Sequence, residues 1–351
     1  MGGSSMGSES RDEQRQCVLR RFGGPEVIEV ERVALPSPGE GEVRVRVEAT
    51  SVQYTDTMIR KGVYPNLKHK PPVVPGYDFV GRIDALGEHA ESWKIGDRVA
   101  DLTVIGANAR YVVRPASTLV AVPGGLDAAE ATSLVLSWMT AYQALKRHAR
   151  VAPGERVLLL GGNGAVGQAG IVLAKLMGAE VYATASEAHH DLLRELGAHP
   201  LPRDDWQAAV RELGGMDVIL DGVCADGFRG SYRALRRGGR LVALGFTAQI
   251  SRGKLLPIFA AFGFLGVTKL LPDGRTASFY SITGDRKKDP DAFREDLEQL
   301  FRWLGEGAIQ PIVAHRIGLA EVAAYHGKLE EGGLRGKVVA IPNAAGTGDG
   351  Q

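Results

Sequence analysis

A short apolar strand that leads into a glycine-rich turn and then into a helix constrains the fold of this chain more than any other feature. Residues 157–160 (Val-Leu-Leu-Leu) precede Gly-Gly-Asn-Gly-Ala-Val-Gly, in which Gly162, Gly164 and Gly167 have the spacing G-x-G-x-x-G, and residues 169–177 continue with helical periodicity. Such glycines permit a tight turn and a close approach to a pyrophosphate, which the amides of the helix N-terminus can bind. A glycine pattern alone is common, but this order of strand, turn and helix favours a dinucleotide-binding loop. The predicted cofactor contacts of the loop come from Gly162, Asn163, Gly164, Ala165, Val166 and Gly167.

The end of the next predicted strand, residues 180–185, indicates which dinucleotide is bound. An NAD-binding protein places an acidic residue there, about 20 residues beyond the glycines, to hold the ribose hydroxyls. In this chain residues 184–186 are Thr-Ala-Ser. A carboxylate would repel a 2′-phosphate, so its absence favours NADPH over NADH. Further contacts with the phosphate could come from Ser186, His189 and Arg203, although these could also be ordinary surface residues.

The chain contains two kinds of sequence pattern, one rich in β-strands and one in which helices and strands alternate, and they predict two kinds of domain. From residue 17 to about 122 it has short β-rich runs cut by Gly and Pro, such as residues 43–47 (Val-Arg-Val-Arg-Val), whose alternation suits a half-buried strand. After Pro123 helical segments alternate with short apolar strands. This alternation predicts an α/β fold, a doubly wound parallel sheet with helices on both faces. Near the end the β-rich pattern appears again, and residues 337–342 are predicted to form the last strand.

Composition excludes several classes of function. The 351 residues suffice for two domains. A formal net charge of +1, from 42 basic and 41 acidic residues, creates no field that would attract nucleic acid or an anionic membrane. Two cysteines, Cys17 and Cys224, are too few for a disulfide framework, which favours a cytoplasmic location. The most apolar stretch, residues 255–271, is interrupted by Pro257 and Lys269, so no membrane span is predicted.

Three further stretches, taken with the glycine loop, resemble one protein family. They are residues 75–81 (Pro-Gly-Tyr-Asp-Phe-Val-Gly), 94–100 (Lys-Ile-Gly-Asp-Arg-Val-Ala) and 238–245 (Gly-Gly-Arg-Leu-Val-Ala-Leu-Gly). From about residue 17 to residue 342 the chain resembles the medium-chain dehydrogenase/reductase superfamily and, within it, the zinc-free quinone oxidoreductase branch. The resemblance implies a Rossmann domain inserted in a GroES-like β-rich catalytic domain. It also implies a homodimer formed through the edges of the Rossmann sheets.

The resemblance and the two sequence patterns together predict the domain boundaries. We expect the first part of the GroES-like domain at residues 16–139, the Rossmann domain at 140–307 and the closing part of the GroES-like domain at 308–343. Residues 1–15 and 344–351 are expected to be disordered tails. The first of these tails carries Gly, Ser and charged residues without an apolar core, so we expect neither a signal peptide nor a membrane anchor there.

Zinc-dependent members of the superfamily differ from this chain at their metal ligands. By alignment with them, Gln53 stands in place of a Cys ligand, Tyr77 in place of a His ligand and Leu136 in place of a second Cys. A catalytic zinc needs three such protein ligands, so no metal site is predicted. Without a Lewis acid, hydride delivery to a conjugated acceptor, which spreads the developing charge, is favoured over reduction of an isolated ketone.

The resemblance implies three candidates for catalysis. Residues 60–65 (Arg-Lys-Gly-Val-Tyr-Pro) resemble the segment in which enoyl thioester reductases carry a tyrosine that positions substrate or donates a proton, so Tyr64 is the first candidate. The alternative is that Tyr64 is a turn aromatic that only packs against its neighbour. Residues 53–56 match the family's Asn-x-x-Asp with Gln in place of Asn, so Gln53 could hydrogen-bond the nicotinamide or the substrate carbonyl. For Asp56 we favour a structural role, in which it bonds the backbone of its own loop.

Three more residues are expected beside the cofactor. Thr140 matches the family's threonine beneath the nicotinamide ring. Gly245 and Phe246 follow a parallel strand at its carboxyl end, where ligands bind in open α/β sheets, so their backbone could contact the nicotinamide. The apolar residues 255–271 could form a lid or wall over an apolar acceptor, or a dimer surface, and the sequence leaves both open.

These observations lead to three hypotheses of function. The first is NADPH-dependent, zinc-independent hydride transfer to a small conjugated carbonyl acceptor, either a quinone or an α,β-unsaturated ketone or aldehyde. The second is reduction of trans-2-enoyl thioesters of CoA or ACP with the help of Tyr64. The third is a non-catalytic NADPH-binding protein with a structural or regulatory role. Activity on conjugated acceptors distinguishes the first two hypotheses from the third.

Overall fold

The chain folds into two compact units in the computed structural model, which describes residues 12–64, 67, 69–251 and 256–343. One unit contains the described residues up to Val135 together with those from Gln310 onward. The other unit contains those between Leu136 and Ile309. The first unit is therefore discontinuous in sequence, and the second is inserted in it.

The discontinuous unit is rich in β-structure. Its strands, numbered along the whole chain, are β1 (Glu13–Leu19), β2 (Ile28–Ala34), β3 (Glu42–Val52), β4 (Asp78–Leu86), β5 (Arg98–Leu102), β6 (Tyr111–Pro115), β7 (Val120–Ala121), β14 (Val313–Ile317) and β15 (Lys337–Ala340). Its helices are α1 (Tyr54–Arg60), α2 (Ala128–Ser133) and α12 (Val322–Glu331), and its short 3₁₀ turns are Pro25–Val27, Ala116–Thr118 and Leu319–Glu321.

The main sheet of this unit has the strand order β14-β15-β3-β4-β5-β7, and β6 also pairs with β3. The strand pairs are antiparallel except for β14 with β15. In β3 the valines Val43, Val45 and Val47 are fully buried while Arg46 between them is exposed, as the alternation in the sequence predicted. Strand β15 pairs with β3 at Val338 opposite Val52, so the end of the chain completes a sheet that begins near its start.

The start of the ordered chain is one correction to the prediction. We expected a tail as far as residue 15, but β1 begins at Glu13, where it pairs with Ala34 of β2. Gln14, near the start of this strand, is buried, and its side chain accepts a hydrogen bond from the amide of Tyr111 at 2.8 Å. Backbone pairing and this side-chain bond order the start of β1. The polar composition of these residues does not indicate either contact.

The inserted unit is an α/β domain. Its strands are β8 (Arg156–Leu160), β9 (Glu180–Ala185), β10 (His199–Pro202), β11 (Met216–Asp221), β12 (Leu235–Ala243) and β13 (Thr276–Phe279). Its helices are α3 (Met139–Gln143), α4 (Ala165–Leu176), α5 (His190–Glu195), α6 (Trp206–Glu212), α7 (Arg229–Arg233), α8 (Thr247–Ser251), α9 (Leu256–Thr268), α10 (Ile282–Lys288) and α11 (Pro290–Gly305). The chain also has π-helical turns at Leu134–Trp138 and Ala144–Ala149 and a 3₁₀ turn at Glu187–His189.

All strand pairs in this unit are parallel, in the order β10-β9-β8-β11-β12-β13. Counted from β8, this is the order 3-2-1-4-5-6 of Rossmann dinucleotide-binding sheets. Such a sheet reverses its strand order between its first and fourth strands, here β8 and β11, and ligands bind at the carboxyl ends there. The predicted fold class, a Rossmann domain inserted in a GroES-like domain, is confirmed.

Most of the apolar segment at residues 255–271 forms helix α9, which ends at Thr268, and residue 255 lies outside the described chain. Only Ala261, Leu265 and Thr268 of this helix are buried. Leu256 is 81% exposed and Phe259 is 72% exposed. In the part of the chain that the structure describes, we find no helix with both the length and the apolarity to cross a bilayer.

Candidate functional site

The glycine turn of the inserted unit lies between the end of β8 and the start of α4. Gly161 has a φ of +78°, a conformation that favours glycine. The amides of Gly161 and Gly162 donate to Oγ1 and the carbonyl oxygen of Thr184, at 3.1 and 2.8 Å. The amide of Gly164 donates to the carbonyl of Gly161 at 3.1 Å and closes the turn. Strand β9 therefore holds the turn in place at the carboxyl end of β8.

The three glycines of the motif are required for different reasons. A Cβ atom on Gly162 would lie 2.7 Å from the Cβ of Ala183, and one on Gly167 would lie 2.4 Å from the carbonyl oxygen of Gly161. The protein itself therefore excludes a side chain at these two positions. Gly164 is exposed, and a Cβ there would meet nothing closer than that same carbonyl oxygen, at 3.4 Å. Its φ of −74° also suits any residue. Packing in the protein does not require a glycine here, and the open position would allow the close approach of a ligand.

The N-terminus of α4 has the properties of an anion-binding site. No side chain caps it, and its first turn carries no acidic residue. The Gln168 side chain donates to the carbonyl of Asn163 at 2.8 Å, which fixes the chain just before the helix. A helix start leaves several amide hydrogens without intrahelical partners, and they favour a phosphate. The uncapped helix and the open position at Gly164 therefore fit a dinucleotide.

The predicted contacts with the 2′-phosphate lie at the ends of β9 and β10. Pro202 pairs with Ala185 in the parallel register, so Arg203 follows β10 at the level where Ser186 follows β9. The Ser186 hydroxyl is 3.0 Å from Nδ1 of His189, and Arg203 is exposed. Glu187 is the acidic residue nearest in sequence, and it is exposed on the 3₁₀ turn beyond Ser186 rather than at the strand end.

Thr140 takes part in a buried hydrogen-bond network of the inserted unit. Its side chain bonds the Tyr280 hydroxyl, which donates to the side-chain oxygen of Gln143 at 2.9 Å. The Gln143 amide nitrogen in turn donates to Asp296 at 2.9 Å. Burial raises the pKa of Tyr280, so this phenol stays protonated. The network holds the Thr140 side chain in one orientation.

Gly245 and Phe246 lie just beyond β12, at the carboxyl end of the sheet. The Phe246 side chain is buried in an aromatic cluster, stacked on Phe279 with ring centroids 5.5 Å apart and close to Phe228 and Phe262. Only the backbone of Phe246 is therefore left for the predicted cofactor contact. A Cβ atom on Gly245 would have its nearest neighbour at 3.5 Å, so this position is also open.

In the β-rich unit the structure brings Gln53 and Asp56 together at the start of α1. One Asp56 carboxylate oxygen accepts the amide of Gln53 at 2.9 Å, and the other accepts the amide of Gly76 at 3.2 Å. Asp56 is fully buried. This arrangement supports the structural role that we favoured for Asp56. The Gln53 side-chain nitrogen donates to Asp78 at 2.6 Å, so it is already used within the protein.

Asp56 belongs to a buried charge cluster that also contains Asp78 and Lys337. Asp78 accepts hydrogen bonds from the amide of Ser51 and the side chains of Gln53 and Thr132. Burial is the main cause that raises the pKa of Asp78, and the cation of Lys337 opposes this rise. Burial also lowers the pKa of Lys337 to about 8, against the attraction of the carboxylates. No local feature of the sequence indicates this cluster, because Lys337 is some 260 positions away from Asp78 along the chain.

Burial likewise raises the pKa of Asp56 to about 7, and the nearby Asp78 carboxylate adds to the rise while Lys337 opposes it. Two carboxyls and one ammonium thus share a volume from which water is largely excluded. Near neutral pH the Asp56 carboxyl is therefore partly protonated.

The predicted proton donor Tyr64 is half-buried and contacts Tyr77. The two hydroxyl oxygens are 2.6 Å apart, and the rings meet edge to face at 74° with centroids 6.0 Å apart. The alternative to a catalytic role was that Tyr64 packs against its own turn, of which residue 65 lies outside the described chain. The contact with Tyr77 involves the hydroxyl as well as the ring. We had considered Tyr77 only as the replacement of a metal ligand.

The positions that hold zinc ligands in other proteins of this kind have protein partners in this chain. Gln53 bonds Asp78, Tyr77 bonds Tyr64, and Leu136 is a buried apolar residue. Over the described ranges, no three His, Cys, Asp or Glu side chains converge in a way that could hold a metal ion.

Comparison with known proteins identifies families for both units. The model of the alcohol dehydrogenase GroES-like domain family matches residues 39–124. The model of the zinc-binding dehydrogenase family matches residues 165–271. The latter name describes the family as a whole, whereas the residues of this chain do not form a zinc site in the part that the structure describes.

Several curated proteins are similar over nearly the whole chain. The quinone oxidoreductase of Lama guanicoe is 30% identical over 93% of this chain and 97% of its own length. The 2-haloacrylate reductase of a Burkholderia species is 30% identical over 93% of this chain and 99% of its own length. The human synaptic vesicle membrane protein VAT-1 homolog-like is 28% identical over 96% of this chain and 84% of its own length.

Solved structures show the same fold. A mycobacterial quinone oxidoreductase superimposes with a TM-score of 0.78 and 29% identity, covering 94% of this chain and all of the other. The human VAT-1 homolog-like protein superimposes with a TM-score of 0.80 and 25% identity over 95% of this chain and 99% of the other. The JamJ enoyl reductase has a TM-score of 0.82 at 23% identity, which shows a shared fold.

Proposed function

Because the chain belongs to the zinc-free, quinone oxidoreductase-like branch of the medium-chain dehydrogenase/reductase superfamily, we propose that it is an NADPH-dependent reductase of conjugated carbonyl acceptors. The acceptors are quinones or α,β-unsaturated ketones and aldehydes. The observation that carries the proposal is the glycine turn, where Gly164 leaves an open position beside an uncapped helix N-terminus. The names of the relatives support reduction of quinones and of a conjugated acid.

The residues that would hold the cofactor belong to the inserted unit. The amides at the start of α4 would bind the pyrophosphate, and Ser186 and Arg203 would bind the 2′-phosphate. Thr140 and the backbone of Gly245 would lie beside the nicotinamide. When bound, NADPH supplies a hydride. The remaining task of the chain is to orient the acceptor, exclude water and provide a proton, for which the Tyr64 hydroxyl is the candidate.

A panel of acceptors tests the proposal directly. We expect the purified full chain to oxidise NADPH in the presence of quinones and enones, and to keep this activity after treatment with a chelator. Absence of turnover on every conjugated acceptor, with NADPH still bound, would instead support the non-catalytic alternative. Loss of activity with a chelator and its return with zinc would contradict the proposal that the reaction needs no metal.

The second candidate function is reduction of trans-2-enoyl thioesters. It is favoured by one observation, the half-buried Tyr64 hydroxyl held by a second phenol, because saturation of an enoyl group requires a proton on carbon. A comparison of kcat/KM for an enoyl-CoA and for a simple enone with the same number of carbon atoms distinguishes the two functions. A strong preference for the thioester would establish the second.

The choice between NADPH and NADH is tested at the ends of β9 and β10. We expect Arg203→Ser to weaken NADPH binding about tenfold, since it removes one cation near the 2′-phosphate, a loss of about 1.4 kcal/mol. NADH, which lacks this phosphate, should bind as before. Arg211→Ser, at an exposed arginine of the same unit, is the matched control. Equal loss of affinity for both nucleotides would assign Arg203 another role.

We further propose that the chain forms a homodimer through β13 and α9. In the described chain β13 is the last strand of its sheet and pairs only with β12, so one edge remains open. Helix α9 contacts β13 and exposes Phe259, and Leu270 just beyond the helix is 83% exposed. An apolar surface beside an open sheet edge suits a second copy of the chain.

Sedimentation and turnover together test this surface. We expect the double variant Phe259→Ser with Leu270→Ser to sediment as a monomer at concentrations where the unmodified protein is dimeric. The matched control is Ile95→Ser, which removes an apolar side chain that is 67% exposed in the other unit. Unchanged association with a raised KM for apolar acceptors would show that the segment is a substrate wall instead.

A further inference from the structure

The phenol of Tyr77 is the hydrogen-bond partner of the proposed proton donor. Its oxygen lies 2.6 Å from that of Tyr64, which is within the range of a strong hydrogen bond between hydroxyls. Tyr77 is 1% exposed, whereas Tyr64 is only half-buried. The two phenols are therefore unequal: one is enclosed by the protein, and the other has a face that is open.

The surroundings decide which phenol donates the hydrogen bond. Burial raises the pKa of Tyr77 above its usual range, and the buried carboxyls of Asp56 and Asp78 raise it further. Burial also raises the pKa of Tyr64, and Asp56 adds to this rise, but the hydrogen bond with Tyr77 opposes it. Tyr77 keeps its proton, and Tyr64 is the phenol that can lose one.

The loop that carries Tyr77 is fixed on both sides. The Tyr77 carbonyl accepts the amides of Thr103 and Val104 at 2.8 and 3.1 Å. The preceding Gly76 has a φ of +107°, and a Cβ atom there would lie 2.3 Å from the backbone nitrogen of Asn108. Asp56 bonds the amide of Gly76 and so connects this loop to the start of α1. The hydroxyl of Tyr77 is therefore presented by a backbone that has little freedom to move.

The geometry points to Tyr77 as the residue that positions the Tyr64 hydroxyl for proton transfer and stabilises the phenolate left behind. By donating its own hydrogen to the Tyr64 oxygen, Tyr77 leaves the Tyr64 hydrogen free to point toward a substrate. This inference rests on the proposed function, in which an acceptor takes up hydride at its β-carbon. It deepens that function by assigning the protonation step to a pair of phenols rather than to a single tyrosine.

With an enone as the acceptor, protonation takes place on carbon. After hydride has added to the β-carbon, the resulting enolate carries one negative charge. The Tyr64 O–H bond breaks, a C–H bond forms at the α-carbon, and the electron pair of the O–H bond stays on the Tyr64 oxygen. The Tyr77 hydroxyl donates a hydrogen bond to that phenolate, which then takes a proton from water. A hydroquinone anion formed from a quinone can be protonated on oxygen by water directly, so it depends less on the pair.

The first arm of the test compares two kinds of acceptor in Tyr77→Phe, which removes the hydroxyl and keeps the ring. We expect kcat for an enone to fall about tenfold or more relative to kcat for a quinone. Tyr64→Phe should lower the same ratio, and the double variant should lower it little beyond the larger single effect, because the two hydroxyls act as one unit. Tyr111→Phe, at a half-buried tyrosine of the same β-rich unit, is the matched control and should keep the ratio.

The second arm does not depend on turnover. In the full chain labelled with ¹³C at tyrosine Cζ, the Tyr64 resonance is identified by its absence in Tyr64→Phe. We expect Tyr77→Phe to shift this resonance and to move its titration to higher pH, since the phenolate loses a hydrogen-bond donor. Tyr111→Phe should leave it in place.

The two arms separate the possible failures. A Tyr64 resonance that Tyr77→Phe does not change overturns the inference, whatever the kinetics show. An unchanged ratio of enone to quinone turnover, with the resonance shifted, overturns the role in protonation. A shifted resonance in a protein that reduces no conjugated acceptor shows that the proposed function has failed and that the pair has no proton transfer to serve.

Discussion

Replacement of Gly164 by alanine is expected to weaken NADPH binding at least about 30-fold, a loss of about 2 kcal/mol, while the free energy of unfolding falls by no more than about 1 kcal/mol, because alanine is a poorer N-cap of α4 than glycine. The protein has room for the added Cβ atom, whose nearest neighbour would be 3.4 Å away. The pyrophosphate does not have this room if it approaches the backbone as closely as the motif requires. Titration with NADPH and thermal unfolding without nucleotide measure the two effects separately.

Gly167→Ala provides the contrasting variant. Its Cβ atom would lie 2.4 Å from the carbonyl oxygen of Gly161 and 2.7 Å from the Cα of Gly162, and neither backbone atom can move without opening the turn. We therefore expect it to lower the unfolding temperature as well as the affinity. Gly124→Ala, where a Cβ atom would meet nothing within 4 Å, is the control for both measurements. Unimpaired NADPH binding by Gly164→Ala would mean that no ligand approaches this position.

The second large effect is expected at the buried charge cluster. Lys337→Met should lower the free energy of unfolding by about 3 kcal/mol or more, because it leaves the buried carboxyls of Asp56 and Asp78 without their cation. Lys94→Met, at an exposed lysine of the same unit, is the control and should have little effect. Urea unfolding of both variants beside the unmodified chain gives the comparison.

The pH dependence of this loss identifies its cause. The pKa of Asp56 is raised to about 7 in the folded protein, so its contribution to stability is present at acid pH and is lost as the pH rises through about 7. Without Lys337 the pKa values of both carboxyls rise further, and the folded variant binds more protons than the unfolded chain. The destabilisation should therefore be larger at about pH 8 than at about pH 6. Equal losses at the two pH values would show that the effect of Lys337 comes from packing rather than charge.

The glycine turn and the alternation of strands and helices in the Rossmann domain could be predicted because their signals are local. Gly162 and Gly167 are fixed by contacts with residues that lie within a few positions or on the next strand, so the motif carries its own structural reason. The alternation of Val43, Val45 and Val47 likewise predicts a strand with one buried face. In each case the pattern that predicts the structure lies in residues that are neighbours in sequence.

The charge cluster and the phenol pair could not be predicted in the same way. Lys337 begins the last strand and would be taken as a surface lysine from its neighbours, yet pairing of β15 with β3 places it in the interior near Asp78. Tyr64 and Tyr77 lie on separate loops, and only the packing of these loops brings their hydroxyls together. The motif at residues 75–81 places Tyr77 where zinc-dependent relatives have a metal ligand, but it does not indicate which residue the hydroxyl contacts.

Titration of the purified full chain with NADPH and, separately, with NADH tests whether the inserted unit holds the proposed cofactor. If the turn at Gly164 binds a pyrophosphate and the ends of β9 and β10 accept a 2′-phosphate, NADPH should bind at one site per chain and at least about tenfold more tightly than NADH, a difference of about 1.4 kcal/mol. Failure of both reduced nucleotides to bind would contradict the account.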